Sequence, residues 1–266
     1  MKKILITGAN SYIGTSFEKY IKQWSEEYSV DTVDMIDGTW REKSFFGYDV
    51  VFHVAGIAHV KETKDNAKLY YQVNRDMAID TAKKAKEEGI KHFIFLSSMS
   101  VYGLETGIIT LETSPNPKTN YGKSKLMAEE GIEKLTDEKF KLAILRPPMI
   151  YGEGCKGNYN SLIKFAKKLP IFPNIRNKRS MLHIEGLCEY VKKLIDGQLD
   201  GIHFPQDKDY VCTSDMVKDI ADRNGKKIRL TKVLNPFVLL AMRIPGRIGK
   251  MTSKAFGDLI FNSNNI

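Results

Sequence analysis

At 266 residues, 42% of them apolar, the chain can bury a full core as one α/β domain or one domain with a small lobe. It holds no apolar run of about eighteen residues and no signal-peptide stretch at its N-terminus, so no integral membrane segment and a cytoplasmic location are expected. The formal charge of +9 raises nucleic acid as a partner, but basic residues such as Lys83, Lys84 and Lys86 alternate with Glu87 and Glu88 as on a solvated helix face, and no nucleic-acid binding is expected.

In chain order, Lys3–Ile6 reads as a short buried strand. Thr7-Gly8-Ala9-Asn10-Ser11-Tyr12-Ile13-Gly14 then turns into a helix over about Ile13–Trp24. A strand, a small-residue turn and a helix N-terminus offer backbone N–H groups and a favourable dipole to a pyrophosphate. Gly8, Asn10, Ser11, Tyr12 and Ile13 are the candidate cofactor contacts. The spacing is that of Gly-x-x-Gly-x-x-Gly with Ser11 at the middle glycine, so Ser11 must tuck its hydroxyl aside or bond a phosphate oxygen with it.

Further strands are predicted over about Val30–Ile36, Val50–Val54, His92–Ser97 and Leu142–Leu145, and helices over Asn74–Glu88, Tyr121–Leu135 and Tyr159–Lys168. Alternation at this spacing predicts an α/β fold with a doubly wound, Rossmann-like parallel sheet. After Gly152 the pattern changes to a Gly- and Pro-punctuated stretch. The expected organisation is a dinucleotide-binding domain over 1–151 and a small C-terminal substrate-binding lobe over 152–266, with 183–204 returning to the first domain through a helix at Glu185–Asp196. The tail is read as strands near Ile202–Pro205 and Ile228–Val233 and a helix near Ser214–Arg223. The apolar run Pro236–Pro245, followed by Arg247 and Lys250, reads as a lobe helix over the substrate cleft or as a membrane-surface helix. Cys155, Cys188 and Cys212 are scattered and odd in number, as free thiols of a reducing compartment are. The five histidines show no metal-ligand spacing, and no metal is expected.

Tyr121-Gly122-Lys123-Ser124-Lys125 forms a Tyr-x-x-x-Lys pair that a helix sets one turn apart on one face. An ammonium beside a phenol favours the phenolate and makes it a usable acid/base near neutrality. Upstream, the strand ending in Ser97-Ser98 adds a hydroxyl.

These motifs resemble, in order, the extended short-chain dehydrogenase/reductases of the nucleotide-sugar epimerase/dehydratase family. The match includes Thr7-Gly8 to Gly14, Asp49-Val50-Val51-Phe52-His53-Val54-Ala55-Gly56, Val73-Asn74, Ser97-Ser98, Tyr121-x-x-x-Lys125, Leu145-Arg146-Pro147-Pro148-Met149-Ile150-Tyr151-Gly152 and Arg179-Ser180-Met181-Leu182-His183-Ile184. The resemblance implies catalytic roles for Tyr121 as proton carrier, Lys125 on the cofactor ribose and Ser98 on the reacting oxygen. Ala55 and Gly56 would pass under the cofactor, and Asn74 would reach its ribose or pyrophosphate. Plain strand-end or helix-cap bonding is the alternative for Ser98 and Asn74. Asp34 fits the acidic residue that ends strand 2 and binds the adenosine ribose, or the later one that ends strand 3. Too little chain separates it from Asp49 for both strands and a full connection. An acid there favours NAD, with NADP as the alternative.

On the substrate side, Arg179 matches an arginine that pairs the sugar nucleotide's pyrophosphate. Asn158 is a candidate for the diphosphate or sugar, and His59 and Lys61 border the sugar or face solvent. Met99-Ser100 stand where sugar 4,6-dehydratases carry Asp-Glu, which argues against dehydration. Met149 replaces an Asn found in many epimerases. The expected function is a UDP-hexose 4-epimerase of the UDP-glucose/galactose type. The alternative is a nucleotide-sugar 4-reductase, and a non-enzymatic dinucleotide-binding protein ranks third, since Tyr121 and Lys125 are both kept. The resemblance also implies a homodimer through the helices around Asn74–Glu88 and Tyr121–Leu135.

Overall fold

The computed structural model describes residues 1–58, 60, 62, 63, 65–155 and 157–262, without the side chain of Asn158. The candidates His59 and Lys61, and the carboxamide of Asn158, therefore lie outside the described residues. The chain divides into two compact units. The first comprises Met1–Gly103, Pro115–Pro148 and His183–Pro205; the second comprises Leu104–Ser114, Met149–Leu182 and Gln206–Ile266.

The first unit is built on six parallel strands: β1 Lys2–Thr7, β2 Tyr28–Val33, β3 Val50–His53, β4 His92–Leu96, β5 Lys141–Leu145 and β6 Gly201–His203. Their order is β6-β5-β4-β3-β1-β2. The helices are α1 Tyr12–Ile21, α2 Ala67–Tyr71, α3 Met77–Glu87, α4 Asn120–Glu133 and α5 Ile184–Gly197. This is the expected doubly wound α/β sheet. All four residues of β3 and all five of β4 are buried, which is why these strands read as unbroken apolar runs rather than alternating ones. Ala78, Ala82 and Ala85 on α3, with Ala128 and Ile132 on α4, pack over Leu5, Val51, Phe93 and Phe95. Small side chains at helical spacing let these helices lie close on the sheet.

Two boundaries differ from expectation. Strand β2 ends at Val33, not near Ile36, because the Val33 carbonyl accepts from Gly8 N and Ala9 N at 2.9 and 3.0 Å, while the Asp34 carboxylate turns the chain by accepting from Ile36 N at 2.9 Å. The helix expected from Asn74 begins at Ala67 and passes through a turn of wider pitch, Gln72–Asp76, before α3. That turn carries Asn74.

The short stretch between Asp34 and Asp49 also has its explanation. It holds only a 3-10 turn, Thr39–Arg41, anchored by buried Trp40 and Phe45 and by the Glu88 carboxylate, which accepts from Phe45 N and from Ser44 Oγ. No strand lies beyond β2 among the described residues, and the chain crosses from β2 directly to β3 on the other side of β1. Asp34 therefore occupies the end-of-strand-2 position. The reversal of direction at β1 is a topological switch point, where open α/β sheets bind ligands at the carboxyl ends of their strands.

In the second unit, helices Asn158–Lys168 and Thr213–Arg223 enclose Ala166, Phe172, Val217 and Ile220, and Ile171–Pro173 pairs with Arg229–Thr231. Residues Leu104–Ser114 fall in this unit although they precede residue 152, because Gly107–Ile109 pairs with Leu259–Phe261. The tail forms two further helices, Asn235–Arg243 and Arg247–Phe256. Among the described residues no helix is long and apolar enough to cross a membrane.

Candidate active site

The nucleotide side is set by close backbone approach. Gly8 has φ +108°, and a Cβ there would lie 2.9 Å from Ala55 N, so only glycine lets the turn after β1 meet the turn after β3. Ser11 caps α1, its Oγ accepting from Gly14 N at 3.1 Å. The hydroxyl is thus tucked aside, the first of the two outcomes open to it. Asn10 takes the left-handed conformation with φ 63°, which Asn tolerates better than most residues. Tyr12 and Ile13 begin α1, whose N-terminal dipole favours an anion. Asp34 stands exposed beyond Val33, the residue whose carbonyl holds the Gly8 turn.

These residues fit a dinucleotide. At Gly56 an added Cβ would meet Asn74 Oδ1 at 2.9 Å and Lys125 Nζ at 3.3 Å, so the floor beside Ala55 is kept open by the absence of a side chain. Asn74 is fully buried; its Oδ1 accepts from Ile57 N at 2.9 Å, and its Nδ2 donates to Ile57 O at 3.0 Å and Ser124 Oγ at 3.2 Å. In this structure Asn74 clasps the Gly56–Ile57 loop and ties it to α4.

Ser98, Tyr121 and Lys125 come together at the carboxyl end of β4. Ser98 follows that strand and caps the short turn Met99–Tyr102, its Oγ accepting from Ser100 N at 3.1 Å. Gly122 brings α4 against this turn: a Cβ there would lie 2.6 Å from Ser100 O. The first turn of α4 is fixed twice, by Thr119 Oγ1 accepting from Gly122 N at 3.1 Å and by Glu62 accepting from Tyr121 N at 3.0 Å and Asn120 N at 3.2 Å. Burial raises the Tyr121 phenol above its ordinary range, and the Ser98 hydroxyl offsets only part of that rise. The lowering expected from Lys125 does not appear. Its Nζ instead donates to Leu96 O at 2.8 Å and lies 4.7 Å from the centre of the Phe95 ring. Burial brings Lys125 down to about 8, so it is still mostly charged at neutral pH.

Three further groups shape the site and were not singled out in the sequence. Glu129 lies one turn beyond Lys125; it accepts from Ser97 Oγ and pairs with Arg146, which also donates to Tyr102 Oη at 2.8 Å. The Tyr121–Lys125–Glu129 spacing of four could have revealed it. Thr7 Oγ1 and His53 Nδ1 bond at 2.7 Å beneath the switch point, where burial and then Lys125 bring the imidazole down to about 3. Glu62 reaches Tyr121 across 59 positions, and no local pattern marks such a contact.

Arg179 belongs to the second unit. Its Nη1 donates to Gly257 O at 2.9 Å, and its backbone bridges Val211 and Leu259. Burial lowers its pKa, against the neighbouring charges of Glu105 and Asp258. Asn158 opens the helix Asn158–Lys168 of the same unit.

A parallel switch point, a glycine-lined turn and a Ser-Tyr-Lys set at the end of β4 are the arrangement that the sequence leads one to expect of a dinucleotide-dependent oxidoreductase of the short-chain type. The model of the NAD-dependent epimerase/dehydratase family matches residues 4–204, and the chain belongs to that family. It is 31% identical over 246 residues to UDP-glucose 4-epimerase of Vibrio cholerae, covering 83% of this chain and 75% of the relative. It is 26% identical over 272 residues to N-acetyl-alpha-D-glucosaminyl-diphospho-ditrans,octacis-undecaprenol 4-epimerase of Escherichia coli O157:H7, covering 95% of this chain and 82% of the relative. Among solved structures, dTDP-4-dehydrorhamnose reductase from Bacillus anthracis in complex with NADP superposes with a TM-score of 0.74 at 20% identity, over 98% of this chain and 91% of that one. UDP-glucuronic acid 4-epimerase from Bacillus cereus in complex with NAD gives 0.71 at 20% identity, over 95% and 96%. These two likenesses bear on the fold.

Proposed function

We propose that this protein is a UDP-hexose 4-epimerase using NAD. The observation that supports the reading is Lys125 Nζ beside the floor kept open at Gly56, with the Ser98 hydroxyl against the phenol of Tyr121 one turn away on α4, in a chain 31% identical to a UDP-glucose 4-epimerase. Gly8, Asn10, Ser11, Tyr12 and Ile13 would hold the pyrophosphate side, Asp34 the adenosine ribose, and Ala55, Gly56 and Lys125 the nicotinamide side. When bound, the oxidised nicotinamide supplies a hydride acceptor and a positive charge. Tyr121 Oη takes the proton of the sugar hydroxyl and returns it, and Ser98 Oγ holds the same oxygen throughout. Lys125, charged at neutral pH, opposes the rise that burial imposes on the phenol once both face a common ligand. Asn74 acts as a positioning residue for the Gly56–Ile57 loop. Arg179 and Asn158 are assigned to the nucleotide diphosphate and sugar. A cytoplasmic location, supported by the free thiols Cys155, Cys188 and Cys212, and a homodimer through α3 and α4, where Met127 is exposed, complete the reading.

The second reading, a nucleotide-sugar 4-reductase, is favoured by Met149 in place of the Asn found in many epimerases. The experiment incubates the purified protein with UDP-hexoses, 4-keto nucleotide sugars and N-acetylglucosaminyl-diphospho-polyprenol, following reduced-nicotinamide absorbance and sugar stereochemistry together. Inversion at C4 with no net cofactor consumption is the expected outcome. Net oxidation of added NADH or NADPH on a 4-keto sugar gives the reductase, and neither activity across the panel overturns both.

A further inference from the structure

The two tail helices of the second unit carry an exposed apolar face. On and beside Asn235–Arg243, Val233, Phe237, Leu240 and Ile244 recur at spacings of four, three and four, and on Arg247–Phe256 Ile248 and Met251 follow at three. These six side chains are each between 44 and 73% exposed, far from the burial expected of a core face. The helices meet at Gly249, where an added Cβ would come within 1.9 Å of Ile244 O, so the pair forms one tight hairpin.

The charge along this stretch of the chain is one-sided. Between Asp222 and Asp258 the chain has nine basic residues (Arg223, Lys226, Lys227, Arg229, Lys232, Arg243, Arg247, Lys250 and Lys254) and no Asp or Glu. The whole chain has 41 Lys and Arg against 32 Asp and Glu, so removing these nine leaves 32 of each. The entire excess of +9 therefore sits in this one segment, and the spread pattern of the Lys83–Glu88 face does not describe it. All nine side chains are exposed, and among the described residues none of them forms an ion pair. On the second helix Arg247, Lys250 and Lys254 run alongside Ile248 and Met251.

We infer that this hairpin is an interfacial docking surface for an anionic lipid bilayer. A polyanion such as nucleic acid would satisfy the lysines and arginines but leave Phe237, Leu240, Ile248 and Met251 in water. An anionic bilayer takes both, the apolar side chains entering the headgroup boundary and the basic ones meeting lipid phosphates. The surface holds the protein on a membrane without spanning it, and it is independent of the reaction assigned above.

The test is co-sedimentation of the full chain with phosphatidylcholine vesicles, with and without phosphatidylglycerol, at low and high salt. Binding at least roughly tenfold tighter to the anionic vesicles, weakening with salt, is expected. Phe237→Glu with Leu240→Glu, and separately Arg247→Glu with Lys250→Glu, should each weaken it about tenfold or more while the thermal melt is unchanged. If the apolar pair impairs folding, Phe237→Ser with Leu240→Ser serves in its place. Failure to bind anionic vesicles overturns the inference, as does equal binding to both vesicle types or undiminished binding by both variants. Tight heparin or DNA capture without vesicle binding would assign the charge to a soluble polyanion and overturn it likewise.

Discussion

Arg146 Nη2 and Glu129 Oε2 lie 2.5 Å apart in the interior of the first unit, with both side chains under 10% exposed. The pair joins the residue after β5 to the helix that carries Tyr121 and Lys125. Through Ser97, Glu129 also holds the strand end that carries Ser98. Burial works against the guanidinium's charge, but Glu129 and Tyr102 together raise its pKa above the ordinary arginine value. Removing one partner of such a pair strands a buried charge, whereas replacing both with apolar groups need not destabilise. Glu129→Ala should therefore cost about 3–5 kcal/mol in urea unfolding, and Glu129→Leu with Arg146→Met should recover most of that loss.

Lys125 is a stability liability in the folded chain. Its pKa falls to about 8 in the folded chain from 10.5, so below about pH 8 both states are charged but only the folded one holds that charge out of water. That cost is fully present at neutral pH and is relieved as pH rises through the window from 8 to 10.5. Lys125→Met should raise the stability of the cofactor-free protein by roughly 1–3 kcal/mol at pH 7, with the advantage shrinking above pH 8. Thermal melting of both forms across that range checks it.

His53 and His92 make the fold acid-labile. Burial brings them to about 3 and about 4, so the unfolded chain binds protons near pH 6.5 that the folded chain refuses. Their contribution is intact above pH 6.5 and is lost progressively as pH falls towards 3. For His53 the loss is about 3–5 kcal/mol at about 1.4 kcal/mol per unit. His53→Gln should flatten the dependence of stability on pH between 6.5 and 3, read by urea midpoints at stepped pH.

On the proposed function, Asp34 would set the choice of dinucleotide. Its carboxylate stands exposed at the end of β2 and would repel a 2′-phosphate. Asp34→Ser should shift the NADP/NAD affinity ratio towards NADP by about tenfold or more, as measured by titration calorimetry of both cofactors.

The parts legible in the sequence are those whose chemistry is local. The Gly8–Gly14 turn, the run Phe93–Leu96 and the Tyr121–Lys125 spacing each lie within one strand, turn or helix face, so their residues alone announce them. What escaped is non-local. Glu62 reaches Tyr121 across 59 positions and Thr7 bonds His53 across 46, and no local pattern records such pairings. The start of α2 escaped because Asn66 makes no side-chain cap to the helix; it exchanges bonds with Thr63 instead. The partners of Asn74 escaped for the same reason, since Ile57 and Ser124 come from a loop and a helix that only the fold brings to it.

On the proposed function, Tyr121 and Ser98 serve a reversible oxidation at C4 of a nucleotide sugar. The most direct measurement gives the enzyme UDP-galactose carrying deuterium at C4 and analyses the product by NMR, with Tyr121→Phe as the control. UDP-glucose that keeps the deuterium at C4 is expected, with a control slowed by roughly 10²–10⁴-fold while still binding NAD. Exchange of that deuterium with solvent, or undiminished turnover by Tyr121→Phe, would contradict it.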